Sequence, residues 1–248
     1  MAPLGGAHEL RRVGIFLAAF GANEAIAPAD RRQRSAPGRF FPDLEATPWH
    51  DPEPVPGADA LRHAFAAIQQ DYLNISRKRT QFVSYEDAEE YAAGHKENVR
   101  SGRQDDIDVF VTHLPRQDVR KNIELCPGVR RAVKGAWFAD ASMFSVLRER
   151  NFVGPHSDFI NYILTLQLGI RTPEGAGIRV GGETSWWTKG ECIVFDASFV
   201  HEVWNDGPGE RTVLIVDAWH PGLTAVEVAA LRIIRPRIRE WEKAKRAS

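Results

Sequence analysis

The chain has 248 residues, 43% of them hydrophobic and 26% charged, with a formal net charge of −1. That size fits one large domain with extensions, and the mix is that of a globular protein with a substantial core, which excludes disordered and collagen-like chains. The near-neutral charge leaves no basic footprint for nucleic acid, no run approaches the roughly 18 apolar residues of a membrane span, and two cysteines are too few for a disulfide scaffold or a cysteine-built zinc site.

In chain order, Arg11 and Arg12 precede an apolar run from Val13 to Ala22. Leu10, Val13, Leu17 and Phe20 fall on one helical face, so a docking helix is expected; an export signal over residues 1–27 is the alternative. Cytoplasmic residence is the expectation unless that segment is cleaved. Residues 27–38, rich in Arg, Ala and Pro, read as a surface linker, which closes an N-terminal unit of 1–38. Prolines and aromatics between Phe40 and His50 break helix and supply something to bury. Leu61, Phe65, Ile68 and Leu73 predict a helix over about 58–74, and the charges of 84–105 predict a surface helix followed by a loop.

From Ile107 the pattern changes to short β-prone runs at 107–113, 138–147, 162–170, 178–180, 192–195 and 212–219, separated by Gly, Pro and Asp turn chemistry. The expected fold is mainly β with flanking helices, a jelly roll of the cupin-like, double-stranded β-helix kind. Its domain is expected over 39–222 with its core at 107–222, followed by a helical tail over 223–248 interrupted at Pro236.

The sharpest chemical signal is Pro155-His156-Ser157-Asp158 before an apolar strand. In extended chain, residues i and i+2 share a side, so His156 and Asp158 can offer an imidazole nitrogen and a carboxylate oxygen to one ion. His201 lies 43 residues beyond Asp158, far enough for a returning strand to bring it alongside as a third donor. Two histidines and one carboxylate leave coordination positions open, as non-haem Fe(II) oxygenases need, whereas a structural zinc site is closed. Each residue alone has a plainer reading: Asp158 as a turn cap, His201 as a core histidine. Arg211, ten residues after His201 at the start of an apolar strand, is either a strand-end cation in water or a guanidinium facing a carboxylate ligand inside the barrel.

His156-Ser157-Asp158, Leu166-Gln167-Leu168-Gly169, the run Phe195 to Asn205, Arg211 and Ile215 to Pro221 together resemble the aspartyl/asparaginyl β-hydroxylase family, most strongly over about 115–222. Phe41-Pro42-Asp43-Leu44, Pro48-Trp49 and Cys126-Pro127 are similar to that family as well. The resemblance implies a double-stranded β-helix using Fe(II), 2-oxoglutarate and O2. It implies iron ligation by His156 and His201, with Asp158 as a carboxylate ligand that the vertebrate branch lacks. It places Arg211 and Ser145 on the far carboxylate of 2-oxoglutarate.

Where the family's peptide hydroxylases carry an arginine and a histidine, this chain has Thr165 and Gln167, close to the cosubstrate or the substrate. With that basic charge gone, the expected substrate is a small molecule, a free amino acid or a derivative of one, oxidised at an unactivated C–H bond by hydroxylation, desaturation or ring closure. Hydroxylation of a peptide or protein, and a cupin-type metal enzyme that does not use 2-oxoglutarate, are the alternatives. No partner nucleic acid or membrane is expected, and nothing in the sequence fixes the oligomeric state.

Overall fold

The computed structural model describes residue 6 and residues 8–77, 82–84, 107–114 and 119–247. Six helices, α1 (Arg11–Ala22), α2 (Pro56–His63), α3 (Phe65–Ser76), α4 (Arg120–Glu124), α5 (Pro127–Ala132) and α6 (Ala225–Ala247), flank two antiparallel sheets among these residues. The strands are β1 (Trp49–His50), β2 (Val83–Ser84), β3 (Ile107–His113), β4 (Phe138–Leu147), β5 (Asn151–His156), β6 (Ile163–Arg171), β7 (Ala176–Val180), β8 (Glu183–Trp186), β9 (Cys192–Phe195), β10 (His201–Asn205) and β11 (Arg211–Trp219). One sheet runs β1-β9-β6-β11-β4-β3-β2 and the other β5-β10-β7-β8. From β4 onward the chain crosses repeatedly between the two sheets, which is the double-stranded β-helix expected from the sequence.

Alternation explains the layers. In β11, Leu214, Val216 and Ala218 turn outward and pack with Leu164, Leu166 and Leu168 of β6 against α2, α3 and α5. The other face of the same strand presents Arg211, Val213 and Ile215 to the space between the sheets, where Met143, Ile178, Val180 and Phe199 form an inner core. Gly181 and Gly182, at φ of 57° and 90°, make the two-residue turn from β7 to β8, a conformation that calls for glycine. Cys126 and Cys192 are free and buried, and burial pushes both thiols up to about 12, so neither is reactive.

The flanks depart from expectation in four places. The face of α1 that docks is Val13 and Phe16, while Leu17 is exposed, because Phe16 packs on Phe41 and Tyr162. The predicted helix over 58–74 is two helices meeting at Ala64, whose ψ of 1° leaves the helical range. The tail is one helix running through Pro236: Ala230, Leu231 and Ile238 are buried against Tyr162 and Trp219, and this burial offsets the backbone bond that proline removes. The predicted charged helix over 84–105 lies outside the described residues except for Ser84, which is in β2.

The fourth departure matters most for the site. The segment read as a surface linker is anchored. Gln33 is buried and bridges to Phe199, its amide donating to Asp196 Oδ2 at 2.9 Å and to Ser198 Oγ at 3.0 Å. Farther on, Asn161 accepts from the Phe41 N–H at 2.7 Å and donates to the Phe41 carbonyl at 2.9 Å, which ties the following stretch to the start of β6.

Candidate active site

His156 ends β5 and His201 begins β10, directly opposite each other across the strand pair, with ring centroids 4.1 Å apart. Each ring is oriented by its own backbone: His156 Nδ1 lies 2.8 Å from the Gly154 carbonyl and His201 Nδ1 3.0 Å from the Phe199 carbonyl. A carbonyl only accepts, so Nδ1 carries a proton in both rings, and in the neutral ring the lone pair is then on Nε2, the tautomer a metal ligand needs. Asp158 lies just beyond β5, its N–H donating to the Ala197 carbonyl at 2.9 Å. Ligand atoms of His156, Asp158 and His201 all fall within 4.8 Å of one another. The donor set therefore fits a divalent ion, with two imidazoles and a carboxylate gathered at one side.

The loop from Asp196 to Val200 serves both ligand strands. Ser157 Oγ donates to the Ser198 carbonyl at 2.9 Å, the Ser198 N–H donates to Asp196 Oδ1 at 2.8 Å, and Gln33 holds the other Asp196 oxygen. Burial pushes the Asp196 carboxyl up to about 7 despite these donors. Glu202 turns away from His201, as strand alternation requires, and accepts from Arg179 at 2.7 Å on the outer face.

One cavity, with about 590 Å³ of empty space including its open mouth, takes in Ser145, His156, Asp158, Thr165, Gln167, His201 and Arg211. Every residue singled out from the sequence is on its wall, and Ile107, Val153, Phe195, Val203 and Ile215 supply the apolar remainder. Arg211 is 3% exposed. Its NH1 reaches the Ser145 hydroxyl and carbonyl only at 3.5 Å, its Nε has no partner, and its guanidinium lies 5.0 Å over the ring of Trp187. Among the described residues no carboxylate pairs with it, and burial lowers its pKa to about 9. Glu210, its neighbour in sequence, lies 3.6 Å from Arg171 instead. A buried cation without an anion is costly unless a ligand supplies the charge, and the planar fork of Arg suits a carboxylate.

A family model described as aspartyl/asparaginyl β-hydroxylase matches residues 62–221. The chain belongs to the aspartyl/asparaginyl β-hydroxylase family. Human aspartate β-hydroxylase domain-containing protein 2 is 28% identical over 208 residues, 79% of this chain and 53% of that protein. Human aspartyl/asparaginyl β-hydroxylase is 40% identical over 92 residues, 37% of this chain and 12% of that protein. The chain thus spans about half the length, or less, of these relatives. Likeness to solved structures is slight: an oxidoreductase of the 2OG-Fe(II) oxygenase family from Burkholderia pseudomallei has 16% identity and a TM-score of 0.36 over 52% of this chain and 75% of that one.

The family corrects one expectation. Human aspartyl/asparaginyl β-hydroxylase is named for groups that are residues within a chain, and this is at odds with the small amino-acid substrate inferred from Thr165 and Gln167. Uncharged side chains at these two positions of the cavity wall bear on local charge and not on the size of what enters.

Sequence reasoning singles out neither Gln33, which lies in a stretch whose composition resembles a linker, nor Trp187, one of seven tryptophans. Neither carries a motif. A glutamine is recognisable as a support only once its buried acceptor is known.

Proposed function

We propose that the protein is an Fe(II)- and 2-oxoglutarate-dependent oxygenase that hydroxylates the β-carbon of an aspartyl or asparaginyl residue held in a peptide or protein. The observation that carries this reading is the pairing, in one cavity, of a His-Asp-His donor set with a buried arginine that has no carboxylate of its own among the described residues. In a cupin-type enzyme without 2-oxoglutarate, the substrate itself would have to bring the anion for this arginine.

His156, Asp158 and His201 would hold the iron. When bound, the iron would activate O2, the oxidant, for C–H hydroxylation, one oxygen atom going to the substrate and the other into succinate as 2-oxoglutarate loses CO2. Arg211, with the Ser145 hydroxyl, binds the far carboxylate, and the guanidinium contributes two parallel donors to it. Thr165 and Gln167 offer hydrogen bonds elsewhere on the cavity wall. Phe195, Val203 and Ile215 exclude water, which strengthens these polar contacts. The backbone carbonyls of Gly154 and Phe199 keep both imidazoles in the ligating tautomer.

The test is anaerobic addition of Fe(II) and 2-oxoglutarate, which should produce a metal-to-ligand charge-transfer band. In air, Asp- and Asn-containing peptides should then gain one oxygen with matched succinate release. Absence of the band in folded, iron-loaded protein overturns the reading. A band together with no oxidation of any aspartyl or asparaginyl peptide overturns the substrate class alone.

A further inference from the structure

Trp187 follows β8 and is 6% exposed, yet it makes two polar contacts with the cavity wall. Its indole N–H donates to Gln167 Oε1 at 3.0 Å, and its ring lies beneath the Arg211 guanidinium, 5.0 Å from Cζ to centroid. An indole nitrogen only donates, so the Gln167 oxygen must face it, and the amide NH2 is left for the cavity that Gln167 lines. Arg211 has little else to fix it, since Ser145 stands at 3.5 Å and Nε is unpartnered. A cation over an indole face is held without being neutralised, so its charge stays available to a ligand.

We propose that Trp187 is the positioning residue of the cosubstrate pocket, aiming the Gln167 NH2 into the cavity with its N–H and seating the Arg211 fork with its ring. This rests on the 2-oxoglutarate reading above. One side chain thereby sets both donor groups relative to each other, so the pocket selects a ligand with acceptor oxygens at a fixed separation.

The experiment loads the full chain with Zn(II) and titrates 2-oxoglutarate, reading calorimetry and the indole N–H resonance that disappears in Trp187→Phe. We expect that resonance to move on adding 2-oxoglutarate. Trp187→Phe keeps a ring under Arg211 and loses the N–H, and should weaken 2-oxoglutarate binding by about tenfold, the worth of one orienting hydrogen bond, with Zn(II) affinity unchanged. Gln167→Leu should weaken it to a similar degree, and Trp187→Phe added to Gln167→Leu should cost nothing more, because the two act as one unit.

Unchanged 2-oxoglutarate binding in Trp187→Phe, or losses that simply add in the double variant, would overturn the proposal while leaving the cosubstrate reading intact. If Trp187→Phe fails to fold, an indole resonance at the same position in Gln167→Leu as in the parent protein overturns it equally. Absence of 2-oxoglutarate binding in the parent protein removes the cosubstrate reading and this inference together.

Discussion

At the scale of single residues, Arg211 bears two opposite demands. Without a ligand it is a desolvated cation with no anion among the described residues; the proposed diacid would supply the charge that burial withholds. Arg211→Met should therefore raise the melting temperature of the ligand-free protein while weakening 2-oxoglutarate binding by roughly 30-fold or more, about 2 kcal/mol, as calorimetry will show. A variant that loses stability in the absence of ligand would mean that the guanidinium already has what it needs. Asp158→Ala should lower Fe(II) affinity measured anaerobically and leave the melting temperature of the metal-free protein close to that of the parent, since this carboxylate sits beyond the strand end. These residues were legible in the sequence through their placement and not their rarity: Asp158 stands two residues from His156 in extended chain, and Arg211 opens an apolar strand. Trp187 and Gln33 were not, because tryptophan and glutamine have no chemistry that announces a role before their neighbours are known.

At the scale of elements, six β-prone runs fell on observed strands, whereas β1, β2, β5, β8 and β10 lay outside the runs that composition singles out. The two strands that carry the histidines are among those missed. β5 contains Gly154 and Pro155, and β10 alternates His201, Val203 and Asn205 with Glu202 and Trp204, so neither has the apolar density of a central strand. Cross-strand pairing supplies what propensity lacks: Val203 opposes both Val153 and Ile178, and Trp204 lies between Phe152 and Gly177. The continuous helix α6 was equally hidden, since Pro236 argues for a break and only tertiary burial overrides it. If that burial holds the helix, Leu231→Ala, at a site that is 0% exposed, should cost about 2–5 kcal/mol in urea unfolding. A loss below 1 kcal/mol would show that the helix is a loosely attached appendage.

At the scale of the whole molecule, the N-terminal stretch, the sheet and α6 meet where His220 packs edge-on to His50, ring centroids 5.2 Å apart. His220 is 2% exposed, and its Nδ1 accepts the Gly222 N–H at 2.9 Å, which requires an unprotonated nitrogen. Burial lowers its pKa to about 4, helped by the neighbouring His50 and Arg12. The unfolded chain binds this proton near pH 6.5 and the folded one only near pH 4. The neutral ring's contribution is thus complete above about pH 6.5 and is lost as pH falls toward 4, a change on the order of 3 kcal/mol. His220→Gln should flatten that part of the stability profile, measured by thermal unfolding from pH 7 to pH 4. An unchanged slope would place the acid sensitivity elsewhere.

The hydrogen bonds from Gln33 to Asp196 and Ser198 bear on how the protein can be trimmed. A shortened version cut to the family-matched residues 62–221 would keep all three proposed iron ligands and the arginine, yet would strip a buried side-chain amide that braces the loop between the two histidine strands. Boundaries drawn from shared ancestry and boundaries drawn from mechanical support do not coincide in this molecule, and an engineer who used the former would recover the chemistry's vocabulary without the frame that keeps it in order.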